Sequence, residues 1–236
     1  MLEVKHISFS WGRAPLFTDV SFTVAPGETV ALAGANGAGK TTLLRILAGA
    51  CLPSAGTVVG DSADMLLTPM RYRRQLGYLP ESAAVDPGMT VKEYLKYRAN
   101  LKGEMPKKIR HRVLEAMELC GLSARAEAWV ESLSQGLRKR VALADAILLR
   151  PRFLFLDDLL AGLDAETRAS VGRILKSVSS FAATVVSGHE LDELEAFATR
   201  FIVLKGGRLL EAKTAADVRT LLTAAPSRKG EGESVA

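Results

Sequence analysis

Cysteine is scarce: Cys51 and Cys120 are the only two among 236 residues. They lie far apart and lack metal-ligand spacing, which excludes a thiolate metal ribbon or a disulfide scaffold and points to inert thiols in a reducing cytoplasm. Long apolar runs are also missing. A membrane span needs roughly 18 to 20 uninterrupted apolar residues, whereas the stretch Val141 to Leu149 is short and holds Asp145. The start, MLEVKHISFSW, alternates polar and apolar residues without the basic end and apolar core of a secretory leader. Nor does one sign of charge dominate: 31 Lys and Arg face 26 Asp and Glu, a net +5, and the signs alternate along most of the chain. Without a concentrated basic stripe or a long coiled coil, nucleic acid is not expected as a partner.

What is present reads as an α/β chain. Residues 2–9 and 16–24 alternate with period two, as strands do, and Gly12 and Pro15 punctuate the turn between them. After the turn Pro26-Gly27-Glu28, TVALAG reads as a buried strand running into a glycine loop, with a helix expected from Lys40 to about Ala48 and Gly49 at its stop. FLFLD at Phe153 to Asp157 and the segment Ala183 to Ser187 are two more buried strands of a parallel sheet. Between these landmarks the pattern is helical and charged, with a break at Gly103-Glu104-Met105-Pro106, so residues 84–137 read as a helical insertion in the core. A helix from Ser134 to Leu149 begins at a capping serine and stops before Pro151. One domain over residues 1–223 is expected, with 224–236 as a disordered tail poor in apolar residues.

Residues 34–42 read GANGAGKTT, which satisfies G-x-x-x-x-G-K-[ST] from Gly34 through Thr41. Glycines let successive backbone N–H groups turn inward around phosphates, and the helix that follows adds the positive end of its dipole. Gly34, Gly37, Ala38 and Gly39 form that cradle, Lys40 can reach the β and γ phosphates, and the Thr41 hydroxyl can ligate Mg²⁺. Asn36 and Thr42 are lesser contacts. Asp157 closes the strand FLFLD, where a carboxylate lies beside the phosphate loop and is the expected Mg²⁺ ligand.

Taken together these residues resemble the ATP-binding cassette family, the nucleotide-binding subunits of ABC transporters, over about residues 2–220. GANGAGKTT resembles its Walker A and FLFLD its Walker B; LSQGL at 133–137 resembles the LSGGQ signature, AGLD at 161–164 the D-loop, and SGHELDELE places His189 at the switch histidine. The resemblance implies a P-loop core with an N-terminal antiparallel β portion and an inserted α-helical subdomain. It implies ATP and Mg²⁺ as ligands, a head-to-tail dimer with a second cassette, and a separate transmembrane permease that holds the chain at the cytoplasmic face of the membrane. Ser134 and Gly136 would then cover the ATP of the opposing cassette, Asp164 would act across the interface, and Trp11 would stack on adenine. The segment 77–95, GYLPESAAVDPGMTVKEYL, is similar to exporters that pair cassettes with small separate membrane proteins, gliding-motility-like and multidrug-type among them; it carries Glu81 where the family has a Gln near metal and water.

Five further positions depart from the family pattern. The usual Glu after the Walker B Asp is Asp158, followed by Leu159 and Leu160 in place of Pro and Thr, and the signature has Gln135 and Leu137 for a Gly and a Gln. Losing a methylene withdraws the carboxylate by roughly 1 to 1.5 Å, and misplacement of that order can cost about 100-fold in rate. Two functions follow from the resemblance: an ATPase slowed at Asp158 that drives export, or a degenerate ATP-binding module that gates a partner with little hydrolysis of its own.

Overall fold

Two sheets carry the chain, described for residues 1–82 and 85–224 in a computed structural model. The first is antiparallel, in the order β2 (Ala14–Val24), β1 (Leu2–Trp11), β4 (Ala55–Gly60), β5 (Ala63–Asp64). The second runs β10 (Arg208–Ala212), β9 (Arg200–Lys205), β3 (Thr29–Gly34), β8 (Ala183–Ser187), β7 (Phe153–Leu156), β6 (Leu76–Leu79). Strands β9, β3, β8, β7 and β6 are mutually parallel, and β10 adds an antiparallel edge.

The parallel sheet is buried on both faces, which is why its strands read as apolar runs without alternation. Its period of two still sorts the side chains. Val30 and Leu32 of β3 and Phe153 and Phe155 of β7 enter the core shared with the antiparallel sheet and α1 (Lys40–Leu47), whose Leu43, Leu44, Ile46 and Leu47 are all buried. Ala31 and Ala33, with Leu154 and Leu156, face the opposite core, built with the helices.

α2 (Pro69–Arg73) precedes β6, and between β6 and β7 the chain forms α3 (Val91–Leu101), α4 (Pro106–Leu119) and α5 (Gln135–Ile147). Thr90 starts α3 with a capping box, its hydroxyl accepting from the Glu93 N–H while Glu93 accepts from the Thr90 N–H. Pro106 opens α4, where a missing N–H costs nothing. The helix expected from Ser134 to Leu149 is shorter at both ends, because Ser134 serves as its cap and the chain leaves helical pairing before Arg150, whose φ is +51°. The remaining helices are α6 (Ala165–Ser179), α7 (Leu191–Glu195) and α8 (Ala215–Thr223). Strands β4, β5, β6, β9 and β10 and helices α2, α6, α7 and α8 were not anticipated. Beyond Ala224 the expected tail lies outside the described residues, as does the start of the expected insertion at Ala84.

Cys120 is fully buried, and desolvation pushes its thiol up to about 12, so it stays protonated. One charged cluster joins the helices to one another. Asp145 of α5, largely buried, pairs with Arg98 of α3 at 2.9 Å and with Lys102 just beyond it at 2.8 Å. Removing the anion leaves two cations facing each other in a desolvated seam. Asp145→Ala is therefore expected to lower stability by about 3 kcal/mol, the low end for a buried pair because Arg98 is partly solvated. Urea unfolding followed by circular dichroism measures it; a loss below about 1 kcal/mol would class the cluster with surface pairs.

Candidate functional site

The carboxyl ends of β3, β7 and β8 lie at one edge of the parallel sheet, and the loops leaving them form an open cleft of about 340 Å³. Its wall includes Asn36, Gly37, Gly39, Lys40, Thr41 and Thr42 from the glycine loop, Asp157 and Asp158 after β7, and Glu81 after β6. Ser187, His189, Trp11 and Leu16 complete it.

The glycine loop turns into α1 through Gly39, whose φ is +105°. A Cβ there would lie 3.0 Å from the Phe17 ring and 3.1 Å from Leu16, so backbone conformation and packing both demand glycine. The first residues of α1, Lys40, Thr41 and Thr42, line the cleft, and the helix start has no side-chain cap. Ala38 packs against the core instead of lining the cleft, and Gly34 is held where a Cβ would meet the Leu204 carbonyl at 2.7 Å. The Lys40 ammonium donates to the carbonyls of Gly34 at 2.7 Å and Ala35 at 3.2 Å. Burial lowers its pKa, and Asp158, Asp157 and Glu81 oppose that shift, so the lysine is the cation on which three carboxylates converge.

Asp157 is 2 % exposed. Its Oδ1 accepts from the Ser187 hydroxyl at 2.7 Å, and the same hydroxyl accepts the Asp158 N–H at 2.9 Å. Asp157 Oδ2 and Asp158 Oδ1 are buried with no hydrogen-bond partner, which is costly for a carboxylate unless a cation or water takes the lone pairs. Among the described residues no three His, Cys, Asp or Glu side chains form a metal cage. Two carboxylates and the Thr41 hydroxyl at the mouth of a phosphate loop are the donors that Mg²⁺ takes together with phosphate oxygens, so the residues fit that ion.

Trp11 ends β1 at the cleft rim, edge-on to Phe9 with ring centroids 5.1 Å apart, and is 63 % exposed. A ring this open is free to stack a planar ligand, unlike a sheet aromatic packed in a core. His189 is exposed on the far wall, after β8.

Ser134, Gly136 and Asp164 stand apart from this wall. Ser134 caps α5, accepting from the Leu137 N–H at 3.4 Å, and Asp164 caps α6, accepting from the Thr167 N–H at 2.8 Å and hydroxyl at 2.9 Å. Gly136 packs against Thr167, and Gln135 lies beside Gly162.

The sequence did not single out Ser187, Leu16 or Lys139. Ser187 had a signal, as the last residue of a buried strand two positions before His189. Lys139 of α5 had none: its ammonium donates to the carbonyls of Asp158 at 3.3 Å and Leu159 at 3.2 Å, and to that of Ala161.

The sequence model described as ABC transporter matches residues 17–161. The chain belongs to the ABC transporter family. It is similar to an uncharacterized ABC transporter ATP-binding protein, YxlF, of Bacillus subtilis (33 % identity, 89 % of this chain and 69 % of that one). It is also similar to an Fe(3+) ions import ATP-binding protein, FbpC 2, of Rhodococcus jostii (34 %, 99 % and 68 %). A Nod factor export ATP-binding protein of Paraburkholderia xenovorans matches at 33 %, over 88 % of this chain and 68 % of its own. Among solved structures, a dimeric post-hydrolysis ATP-binding cassette bound to ADP and Pi superimposes with a TM-score of 0.79 at 26 % identity, covering 90 % of this chain and 98 % of that one. The chain is thus an ATP-binding ATPase cassette, and the fold resemblance stands.

If Trp11 stacks on the base, Trp11→Ala weakens ATP binding roughly 5- to 160-fold, the value of one base–aromatic stack, and Trp11→Phe recovers part of it. Titration with a fluorescent ATP analogue reads the affinity; equal affinity in the alanine variant and the parent would remove Trp11 from the site.

Proposed function

We propose that this cassette binds Mg·ATP in the cleft, dimerises with a second cassette over the nucleotide, and hydrolyses ATP to drive a separate transmembrane permease. The observation that carries this is the convergence of Lys40, Thr41, Asp157, Asp158, Glu81 and His189 on one cleft at the end of the parallel sheet. Among the described residues no helix is long and apolar enough to cross a membrane, which fits a chain held peripherally on the cytoplasmic face by its permease.

In this reading the loop amides and the Lys40 ammonium hold the phosphates, and Trp11 orients the base. Asp157 and Thr41 would hold Mg²⁺, with Glu81 near it; bound there, the ion would neutralise charge on the phosphate oxygens. Asp158 orients the attacking water and takes its proton, and His189 donates toward the γ-phosphate. Ser134 and Gly136, at the N-terminal turn of α5, would face the partner's nucleotide, and Asp164 would act across the same interface. Whether the partner is identical or a distinct cassette is a matter of which chain co-purifies. The resemblance of residues 77–95 supports export, although the relatives include both an importer and an exporter by name.

The test is ATP hydrolysis by the chain co-purified with its membrane partner, against Lys40→Ala. Turnover above that control is expected, together with its loss in Asp158→Asn. Turnover equal to the control would leave the gating module as the function. If reach limits the shorter carboxylate, Asp158→Glu raises kcat, by as much as about 100-fold; an unchanged or lower kcat would show that position 158 is already matched to its surroundings.

A further inference from the structure

The departures at 158–160 and the cation at 139 meet at one place. Asp158 has a φ of +48°, a left-handed backbone that a residue with a side chain holds only where its surroundings over-determine it. A proline at 159 would disfavour that backbone at 158; Leu159 permits it. Leu159 and Leu160, each 1 % exposed, are sunk in the helical core and fix the turn from below. The Ser187 hydroxyl fixes it from the sheet side by accepting the Asp158 N–H. From α5, five residues after its Ser134 cap, the Lys139 ammonium covers the carbonyls of Asp158, Leu159 and Ala161.

Three carbonyls converging on one point call for three donors, which an ammonium has and a side-chain amide lacks. Burial lowers the Lys139 pKa, opposed by Asp158, Glu190 and Glu81, the three carboxylates that face it. Gln135 beside Gly162 and Gly136 beside Thr167 pack the start of α5 along the same turn and its continuation.

We propose that Lys139 is a positioning residue for hydrolysis: its ammonium holds the Asp158–Ala161 turn so that the short Asp158 carboxylate stays aimed into the cleft, and it ties that aim to the position of α5. The proposal rests on the reading of Asp158 as the group that handles the attacking water. A shift of α5, the helix that begins with the signature segment, would then move the carboxylate with it.

The experiment compares Lys139→Met, Lys139→Gln and Lys139→Arg with Asp158→Asn in the full chain, reading kcat, KM for ATP, affinity for a fluorescent ATP analogue and melting temperature. Lys139→Met is expected to lower kcat at least tenfold with KM and affinity within twofold, and Lys139→Gln and Lys139→Arg to recover part of the rate. If Asp158→Asn abolishes hydrolysis while Lys139→Met and Lys139→Gln keep kcat within twofold, the positioning role is wrong and the reading of Asp158 survives. If Asp158→Asn itself leaves kcat unchanged, the reading of Asp158 fails and the role of Lys139 falls with it. Should Lys139→Met fail to fold, Lys139→Gln, which keeps two donors, carries the same comparisons.

Discussion

The Ser187 hydroxyl, donating to Asp157 Oδ1 and accepting from the Asp158 N–H, ties two loops into one site. It can do so only because β7 and β8 are parallel and in register, Leu156 opposite Val186, so that the residues following both strands emerge at the same edge. β3 pairs with β8 from the other side, Leu32 opposite Ser187, and delivers the glycine loop to that edge as well. A one-residue slip of β8 would turn Ser187 to the opposite face of the sheet and leave Asp157 with a further orphaned oxygen. The register is held in turn by the two apolar cores, since alternate residues of β3 and β7 must enter different ones.

The charge in the cleft follows from the same convergence. Asp157, Asp158 and Glu81 arrive on neighbouring loops, and the two cations nearest them come from helices on different sides, Lys40 from α1 and Lys139 from α5. Both are half-buried, and both keep their ammonium on backbone carbonyls, Lys40 on the glycine loop and Lys139 on the turn after β7. Desolvation works against each ammonium and the carboxylates work for it. Lys40 therefore stabilises the glycine loop, and Lys139 stabilises the turn that carries the second aspartate.

Much of this was legible before any coordinates, and the physical reason separates what was from what was not. Buried parallel strands announce themselves as apolar runs, so TVALAG, FLFLD and ATVVS were readable. So were α3 and α4, split where Gly103 and Pro106 predict a break. β6 was hidden because LGYL is four residues long and partly covered, too short for periodicity to speak. The cleft residues of the glycine loop and the two aspartates follow from local motifs. Ser187 and Lys139 act on residues about 20 to 30 positions away, at a separation that only the folded topology closes. Trp11 was marked by the family resemblance, but only its exposure distinguishes a stacking ring from a core one.

The substitutions around position 158 make sense together in a way they do not singly. A shorter carboxylate alone reads as a defect, and so does a glutamine where the backbone would approach phosphate. Gln135, however, lies alongside Gly162 of its own chain, so its bulk is accommodated against the turn after β7. Leu159 and Leu160 replace a stiff proline with two buried anchors and release the left-handed backbone at Asp158. Lys139 then supplies the donors that such a turn, with its carbonyls drawn together, needs. Asp164, capping α6 through Thr167, continues the same ridge, because Thr167 is also the neighbour of Gly136. The start of α5, the turn and the start of α6 are thus packed as one body. A displacement of α5 would therefore bear directly on the turn that carries the second aspartate.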